Sequence, residues 1–498
     1  MITAIAECRL PIADCRLRQI VAREVKPSPG RRSAIGSLQS ALCTLFLLFV
    51  PLTLAHSKQA VVGWDSTAGA LAVPVPGAAR LVAITNATIL TASRGTIQKG
   101  TILIRDGRIA EVGANVTVPA GADVIDATGR FVTPGIIDAH SHAMAEAINE
   151  GSRSSTAMVR IEDVLRQDAP SIYRMLAGGV TTINVLHGSA NTIGGQNAVV
   201  KLRWGLPVDS MLFAGAPPGI KFALGENVRR TNSNPPPGRN RRYPYTRMGV
   251  EQFLRDRFTR AREYQAEWKA YDALVKNRKR GDAEPIPPRR DLELDALVEI
   301  LEGNRLVHAH SYRSDEIVML LDVAKEFGFK IASLQHVLEG YKVADEIAGA
   351  GAGASTFADN WAYKLEAYDA IPHNAALMAE RGVNVTINSD SDERARRLYQ
   401  EAAKAIKYGG ASEEEAIRMI TLNAAEQLGV ADRTGSIDVG KDADIAIFSA
   451  HPFSPGARVE MTLVDGRRFF DRSKAPTLEA LMALIKARRN VPATGGLQ

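Results

Sequence analysis

The chain has 498 residues, 45% of them hydrophobic and 23% charged, with a formal net charge of +6. This composition excludes a collagen-like or disordered chain and allows one large domain plus a smaller one, with a core that needs no staple. The positive charge is local: residues 1–55 carry a net +4 and residues 229–290 a net +10, which leaves −8 elsewhere and removes the overall sign as an argument for nucleic-acid binding.

Residues 1–55 read as a leader. Arg31-Arg32 precedes the apolar run ALCTLFLLFVPLTLA, Ala41 to Ala55, in which Thr53 and Ala55 are small residues at the −3 and −1 places of a cleavage point. The run is short and interrupted by Pro51, which fits a cleaved signal better than a membrane span. The paired arginines are a weak pointer to twin-arginine export, and an uncleaved anchor is the alternative. The expectation is therefore an exported protein, periplasmic or extracellular, with no stable membrane span after cleavage near Ala55. Cys8, Cys15 and Cys43 all fall in the leader. The predicted mature chain has no thiolate or disulfide chemistry, and a metal site in it must use His, carboxylate or Lys.

Residues 56–80 form a linker that carries Gly, Ala and Pro. From 81 to 130 short apolar runs alternate with turns, as in GTILIRDGRIAEVG, where Asp106-Gly107 is a hairpin signal; the same texture returns over 434–475, with Asp465-Gly466 as the turn. Between these flanks, residues 131–433 alternate β-like runs with helical patterns. After the first run the predicted strands are Val180–Leu186, Met211–Gly215, Ile220–Leu224, Arg305–Ala309, Lys330–Leu334, Ala354–Phe357 and Gly382–Asn388. An α/β chain with this rhythm over some 300 residues suits a (β/α)8 barrel; a doubly wound sheet has a similar rhythm, but chemistry-bearing residues at the ends of many strands favour the barrel.

A basic insertion occupies about 226–290. Its second half places Val250, Leu254, Phe258, Ala261, Tyr264, Trp268, Tyr271 and Val275 at steps of 3 or 4, one helical stripe with a charged back. A helix packed on the rim with a solvated face is the plain reading. A lid carrying arginines over the site is the sharper one.

The strand ends collect the polar residues. VTPGIIDAHSH delivers His140 and His142, GIKFALG delivers Lys221, LVHAHS delivers His308 and His310, SLQHVLEG delivers His336, and VTINSDSD delivers Asp390. Alternate residues on a strand face the same side, so His140 and His142 can reach one cation. Imidazole and carboxylate donors without thiolate suit Zn²⁺, with Mn²⁺, Fe²⁺ or Co²⁺ as substitutes. Six such groups exceed the needs of one tetrahedral ion; two ions about 3.5–4 Å apart would use them all.

As an ordered set, PGIIDAHSH, VHAH, QH, NSD and the tail LNAAEQLGV…GSIDVGKDADIAIF resemble the amidohydrolase superfamily, especially its imidazolonepropionase-like and Xaa-Pro-dipeptidase-like members, over about residues 81–470. The resemblance implies a metal-bearing (β/α)8 TIM barrel with a small composite β-sandwich built from both flanks. It also implies roles: His140 and His142 on the more buried ion with Asp390, His308 and His336 on the second, and Lys221 bridging both as a carbamate. Glu226 or Lys201 are alternatives for the bridging position. His310 is expected to face the substrate rather than a metal, with Tyr243 and Arg394 as further substrate-binding candidates. His187 and the glycines of GGQN at 194–197 are equally assignable to the pocket or to packing, and His373 and His451 to the surface.

The expected activity is hydrolysis of a C–N bond, in an amide or cyclic amide, by a metal-activated hydroxide with Asp390 as proton shuttle. The alternative on the same site is dipeptidase or carboxypeptidase action on a short peptide. Rivals are a non-catalytic scaffold, a basic module for nucleic acid or anionic membrane, and a deaminase, which HAHS disfavours because no acid follows the histidine. The expected partner is a small amide or short peptide, without nucleic acid; homo-oligomerisation is left open.

Overall fold

The computed structural model describes residues 81–229 and 242–475. The predicted leader, its cleavage point and the 56–80 linker lie outside the described residues. Seventeen strands are present among those described: β1 Leu81–Leu90, β2 Thr96–Arg105, β3 Arg108–Gly113, β4 Asp123–Asp126, β5 Phe131–Pro134, β6 Ile136–Ser141, β7 Val180–Val185, β8 Ile193–Gln196, β9 Ala198–Lys201, β10 Gly219–Ala223, β11 Leu306–Ser311, β12 Ile331–His336, β13 Gly353–Thr356, β14 Val385–Ile387, β15 Ile445–Phe448, β16 Val459–Val464 and β17 Arg467–Asp471.

The two flanks share one sheet. Its eight strands run β17-β16-β15-β5-β1-β2-β3, with β4 beside β1, and the seam between the flanks is the antiparallel pair β15–β5, Ile445 opposite Pro134 and Ile447 opposite Val132. Alternation puts Ile84, Ile102, Ile104 and Ile109 of the first flank against Ile445, Ile447 and Leu463 of the second, all buried in one apolar cluster. Both predicted turns are tight: Asp106-Gly107 (φ 50° and 82°) and Asp465-Gly466 (φ 48° and 71°) occupy the left-handed region that a two-residue hairpin with the native twist requires.

The central region holds two sheets. One has the order β14-β13-β12-β11-β10-β8, parallel except for β8; the other is β6-β7-β9, with β6 and β7 parallel and β9 antiparallel. They meet at both ends. β8 runs almost directly into β9, and the Asn197 amide between them donates to the Gly219 carbonyl. On the other side the Asp390 amide, just past β14, donates to the His140 carbonyl at 3.1 Å. β6, β7 and β10 are buried along their whole length, as expected of strands covered on both faces.

One predicted strand is corrected. Residues 211–215 do not form one: Met211 ends a short helix, Val208–Met211, and only Leu212 makes an isolated bridge, to Val200. The apolar run Met-Leu-Phe has the composition of a strand, but Met211 is buried at the end of that helix and Phe213 in the loop after it, where its amide donates to the Val199 carbonyl. The β8–β9 pair stands at that place instead, hidden from pattern reading by Gly194 and Gly195.

The helix of the basic insertion is present as Arg247–Asn277, capped by Thr246, whose hydroxyl accepts from the Gly249 amide. The apolar stripe is buried from Val250 to Tyr264 and then fades, with Val275 46% exposed. Phe258 is its anchor, stacked on Phe329 with ring centroids 4.4 Å apart and close to Phe222 and Phe327. The arginines of this helix pair with acids of the helix and its neighbours, among them Glu251, Glu293, Glu316 and Glu326. No helix among the described residues is long and apolar enough to cross a membrane.

Candidate metal centre

β6 and the turn after β14 place three donors around one point. His140 Nε2 lies 3.5 Å and His142 Nε2 3.0 Å from the same oxygen, Asp390 Oδ1, and one ligand atom from each residue falls within 4.8 Å of the others. Each ring is aimed through its other nitrogen: His140 Nδ1 is 2.9 Å from Gln335 Oε1, and His142 Nδ1 is 2.9 Å from the Leu186 carbonyl. That makes Nδ1 the donor in each ring and turns Nε2 toward Asp390.

The remaining predicted residues converge from β10, β11 and β12. Lys221 is fully buried, its Nζ 3.1 Å from His140 Nε2, and it stands opposite His308 in the β10–β11 register. Among the described residues it makes no ion pair. His308 Nδ1 is 2.8 Å from Ser333 Oγ. His336 approaches Asp390 Oδ2 at 4.0 Å, and its ring lies 4.6 Å from that of His140 and stacks on Phe357. Strand alternation would send His336 to the opposite face from Gln335, but a φ of 74° turns it back to the site; Asp390, at φ 45°, is turned likewise. Non-glycine residues in the left-handed region are costly and persist where the surroundings hold them.

Burial dominates the electrostatics. It lowers His140 well below the usual imidazole value, with Lys221 adding to the effect, and puts His308 and His336 at about 3. These three imidazoles are neutral at pH 7, the form that ligates. Burial also lowers Lys221 to about 7. For Asp390 burial works upward, but the hydrogen bond from His142 and the nearby His336 and Lys221 outweigh it and hold the carboxyl at about 2. The set is thus a carboxylate ringed by neutral imidazoles beside a lysine that gives up its proton readily. This donor chemistry fits a divalent cation.

Residues 131–469 match the model of the Amidohydrolase family. The chain belongs to the amidohydrolase family. It is a hydrolase acting on carbon–nitrogen bonds, in a family that is generally metal-dependent and takes small-molecule substrates. This amidohydrolase is 32% identical over 406 residues, 75% of its length, to the amidohydrolase tasK of Hapsidospora irregularis, of which it spans 40%. It is 24% identical over 409 residues to an imidazolonepropionase of Mesorhizobium japonicum, covering 72% of this chain and 88% of that protein. Among solved structures, an amidohydrolase of Thermotoga maritima superposes with a TM-score of 0.71 at 31% identity, over 78% of this chain and all of that one.

The mouth of the amidohydrolase site is aromatic. His310 Nδ1 is 2.9 Å from Ser189 Oγ, its buried Nε2 has no hydrogen-bond partner among the described residues, and its ring packs edge-on against Tyr312 and His336. Arg394 lies over Phe357 at 5.6 Å, and Lys364 over Tyr312 at 4.2 Å. Tyr243 is placed elsewhere: it is 57% exposed, its carbonyl accepts from Ser154, and its ring faces Phe253. His187 is structural, with Nδ1 against the Gly188 carbonyl and Nε2 accepting from the Glu150 amide, and a Cβ on Gly194 would meet its ring at 2.9 Å. His373 ends the turn before helix Asn374–Glu380, and His451 packs against Phe131 and Phe453.

Of the alternatives for the bridging position, Lys201 is decided against by its partners: its Nζ sits 2.7, 3.0 and 2.6 Å from Asp442, Asp444 and Asp465. Glu226 begins the short helix Glu226–Arg229, and its amide donates to Glu366.

Several contributors escaped the sequence reading. Asp138 is fully buried and accepts from the Ser389 amide at 3.1 Å and hydroxyl at 2.5 Å, clamping β6 to the segment that carries Asp390. Its place two residues before His140 was a usable signal. Ser333 and Gln335 in β12 and Ser189 in the loop after β7 gave none, because uncharged polar residues have no spacing of their own.

Proposed function

We propose that this amidohydrolase cleaves an amide or cyclic amide with two divalent ions, zinc in the first place, held by His140, His142, His308, His336, Asp390 and a carboxylated Lys221. The observation that carries this reading is the convergence of the His140 and His142 Nε2 atoms on one oxygen of Asp390. The two central sheets, meeting at both ends, are read as a closed (β/α)8 barrel, and the eight-stranded sheet of both flanks as the composite sandwich beside it. Export through the leader at Ala41–Ala55 belongs to the same reading.

Such ions, when bound, polarise a carbonyl and bring the pKa of a bound water toward neutrality. The chain supplies the rest. Asp390 is partly exposed, 29% at its side chain, and so can touch both solvent and substrate. Its carboxylate, held low and so ionised at neutral pH, is free to take a proton and deliver it to the leaving nitrogen. His310 offers its Nε2 to the substrate oxygen, and Arg394 stands over Phe357 for an acidic end of the substrate. Lys221, lowered to about 7, exposes a neutral amine at physiological pH. Its nitrogen bonds to the carbon of CO₂, one proton leaves, and the carbamate oxygens become donors that an ammonium lacks.

A second reading, hydrolysis of a short peptide with a free carboxylate, is favoured by the two cations Lys364 and Arg394 over the aromatic rings at the mouth. A non-catalytic scaffold is disfavoured because each expected donor is in place. The test is a screen of the full chain, loaded with zinc and supplied with bicarbonate, against cyclic amides and dipeptides. Turnover of one class identifies the substrate; absence of turnover on both, with no zinc retained after dialysis, overturns the metal reading.

A further inference from the structure

β12 carries two buried polar side chains that the chemistry above does not use. Ser333 and Gln335 lie two residues apart and so share a face, opposite His308 and His310 in the β11–β12 register. Gln335 Oε1 is 2.9 Å from His140 Nδ1, Gln335 Nε2 donates to Ser333 Oγ at 2.5 Å, and Ser333 Oγ is 2.8 Å from His308 Nδ1. All four side chains are at most 1% exposed. No water is therefore needed to complete the chain His140–Gln335–Ser333–His308.

We propose that Gln335 and Ser333 are positioning residues that join the imidazoles of His140 and His308 in one hydrogen-bond chain, so that metal affinity at both histidines is set together. The direction of the chain supports this. The amide of Gln335 is committed at its nitrogen end to Ser333, which leaves only its oxygen for His140; that oxygen accepts, so His140 must carry its proton on Nδ1 and present a bare Nε2. The serine oxygen has lone pairs for both the Gln335 N–H and a His308 N–H. Tilting either ring then disturbs the amide that orients the other.

This inference rests on the metal reading, and the experiment separates the two. Zinc uptake is measured by equilibrium dialysis against zinc buffers for the unaltered chain, Q335L, Q335E and S333A, together with the melting temperature of each with and without zinc. Q335L is expected to lose about 10–100-fold in zinc affinity for both ions, as removal of such supporting hydrogen bonds does. S333A, which removes the oxygen shared by the Gln335 amide and the His308 ring, should lower affinity for both ions, and Q335E, which keeps an acceptor for His140, should lose less than Q335L. The rise in melting temperature on adding zinc should shrink in Q335L while the zinc-free value stays close to that of the unaltered chain. Unchanged affinity in Q335L and S333A, or an equal drop of both melting temperatures at unchanged affinity, would reduce the pair to packing and overturn the proposal. An unaltered chain that takes up no zinc would sink the metal reading along with it.

Discussion

Two buried lysines in this protein have opposite fates. Lys201, at the end of β9, and Lys221, in the middle of β10, are both fully buried. Burial opposes the charge of each. Around Lys201 the aspartates 444, 465 and 442 overcome that penalty and raise its pKa; around Lys221 the neighbours are imidazoles, Asp390 acts only from farther off, and the pKa falls to about 7. Arg203 and Arg433 bind the same aspartates, so the Lys201 cluster is a saturated ionic staple between β9 and the flank sheet. Lys221 is left as an amine with unspent chemistry. Burial alone does not make a lysine reactive; the absence of a carboxylate partner at contact distance does.

The largest effect that sharpens this contrast is on the reactive side. Asp390→Asn keeps the volume and the turn but removes the proposed proton acceptor, and kcat should fall by about 10²–10⁴-fold, with the circular dichroism spectrum and melting temperature nearly unchanged. The staple side comes next. Lys201→Met leaves three carboxylates without their central cation and should cost about 3–5 kcal/mol in denaturant unfolding, as breaking a buried ion pair does. Lys221→Met should match or exceed the unaltered chain in metal-free stability, since an unpaired buried cation is replaced by an apolar stem, while losing zinc. If the two methionine variants are equally unstable, the comparison fails.

The pH dependence of metal-free stability follows with opposite signs. The Lys221 pKa is about 7 folded against 10.5 as the ordinary value, so between these the unfolded chain binds the extra proton and stability rises with pH. Lys201 is raised above 10.5, so its stabilisation is complete below that value and is lost as pH climbs through the folded pKa. Denaturation of the metal-free protein from pH 7 to 10.5 should show a stability gain that Lys221→Met lacks and that persists in any folded Lys201 variant. The smallest effect concerns the rim of the site. Ser189→Ala removes the hydroxyl beside His310 Nδ1 and should lower kcat/KM about two- to tenfold, the measure of one ordinary hydrogen bond of about 0.5–1.5 kcal/mol.

The candidate donor residues were legible because a His, Lys or Asp in or just after an apolar strand is conspicuous. The flanking sheet was legible from its turns, since Asp-Gly between apolar runs leaves few other conformations. The strand predicted at 211–215 is absent because Met211 and Phe213 are buried from a helix end and the loop after it, while the glycines of β8 make a real strand look like a turn. Tyr243, a substrate-binding candidate by position alone, has its ring toward Phe253.

By itself the sequence determined which side chains stand in or beside the strands, that the candidate donors are chiefly imidazole and carboxylate, and that the flanks are strand-rich. Those properties follow from local alternation and composition, which residues a few places apart decide. Only the tertiary structure decided which of two apolar-run lysines lies among histidines and which among aspartates. The same holds for Gln335 meeting His140 across 195 positions and for the left-handed turns at His336 and Asp390 that bring their side chains inward. Each depends on what another strand places a few ångströms away, and no local pattern in the chain encodes that distance.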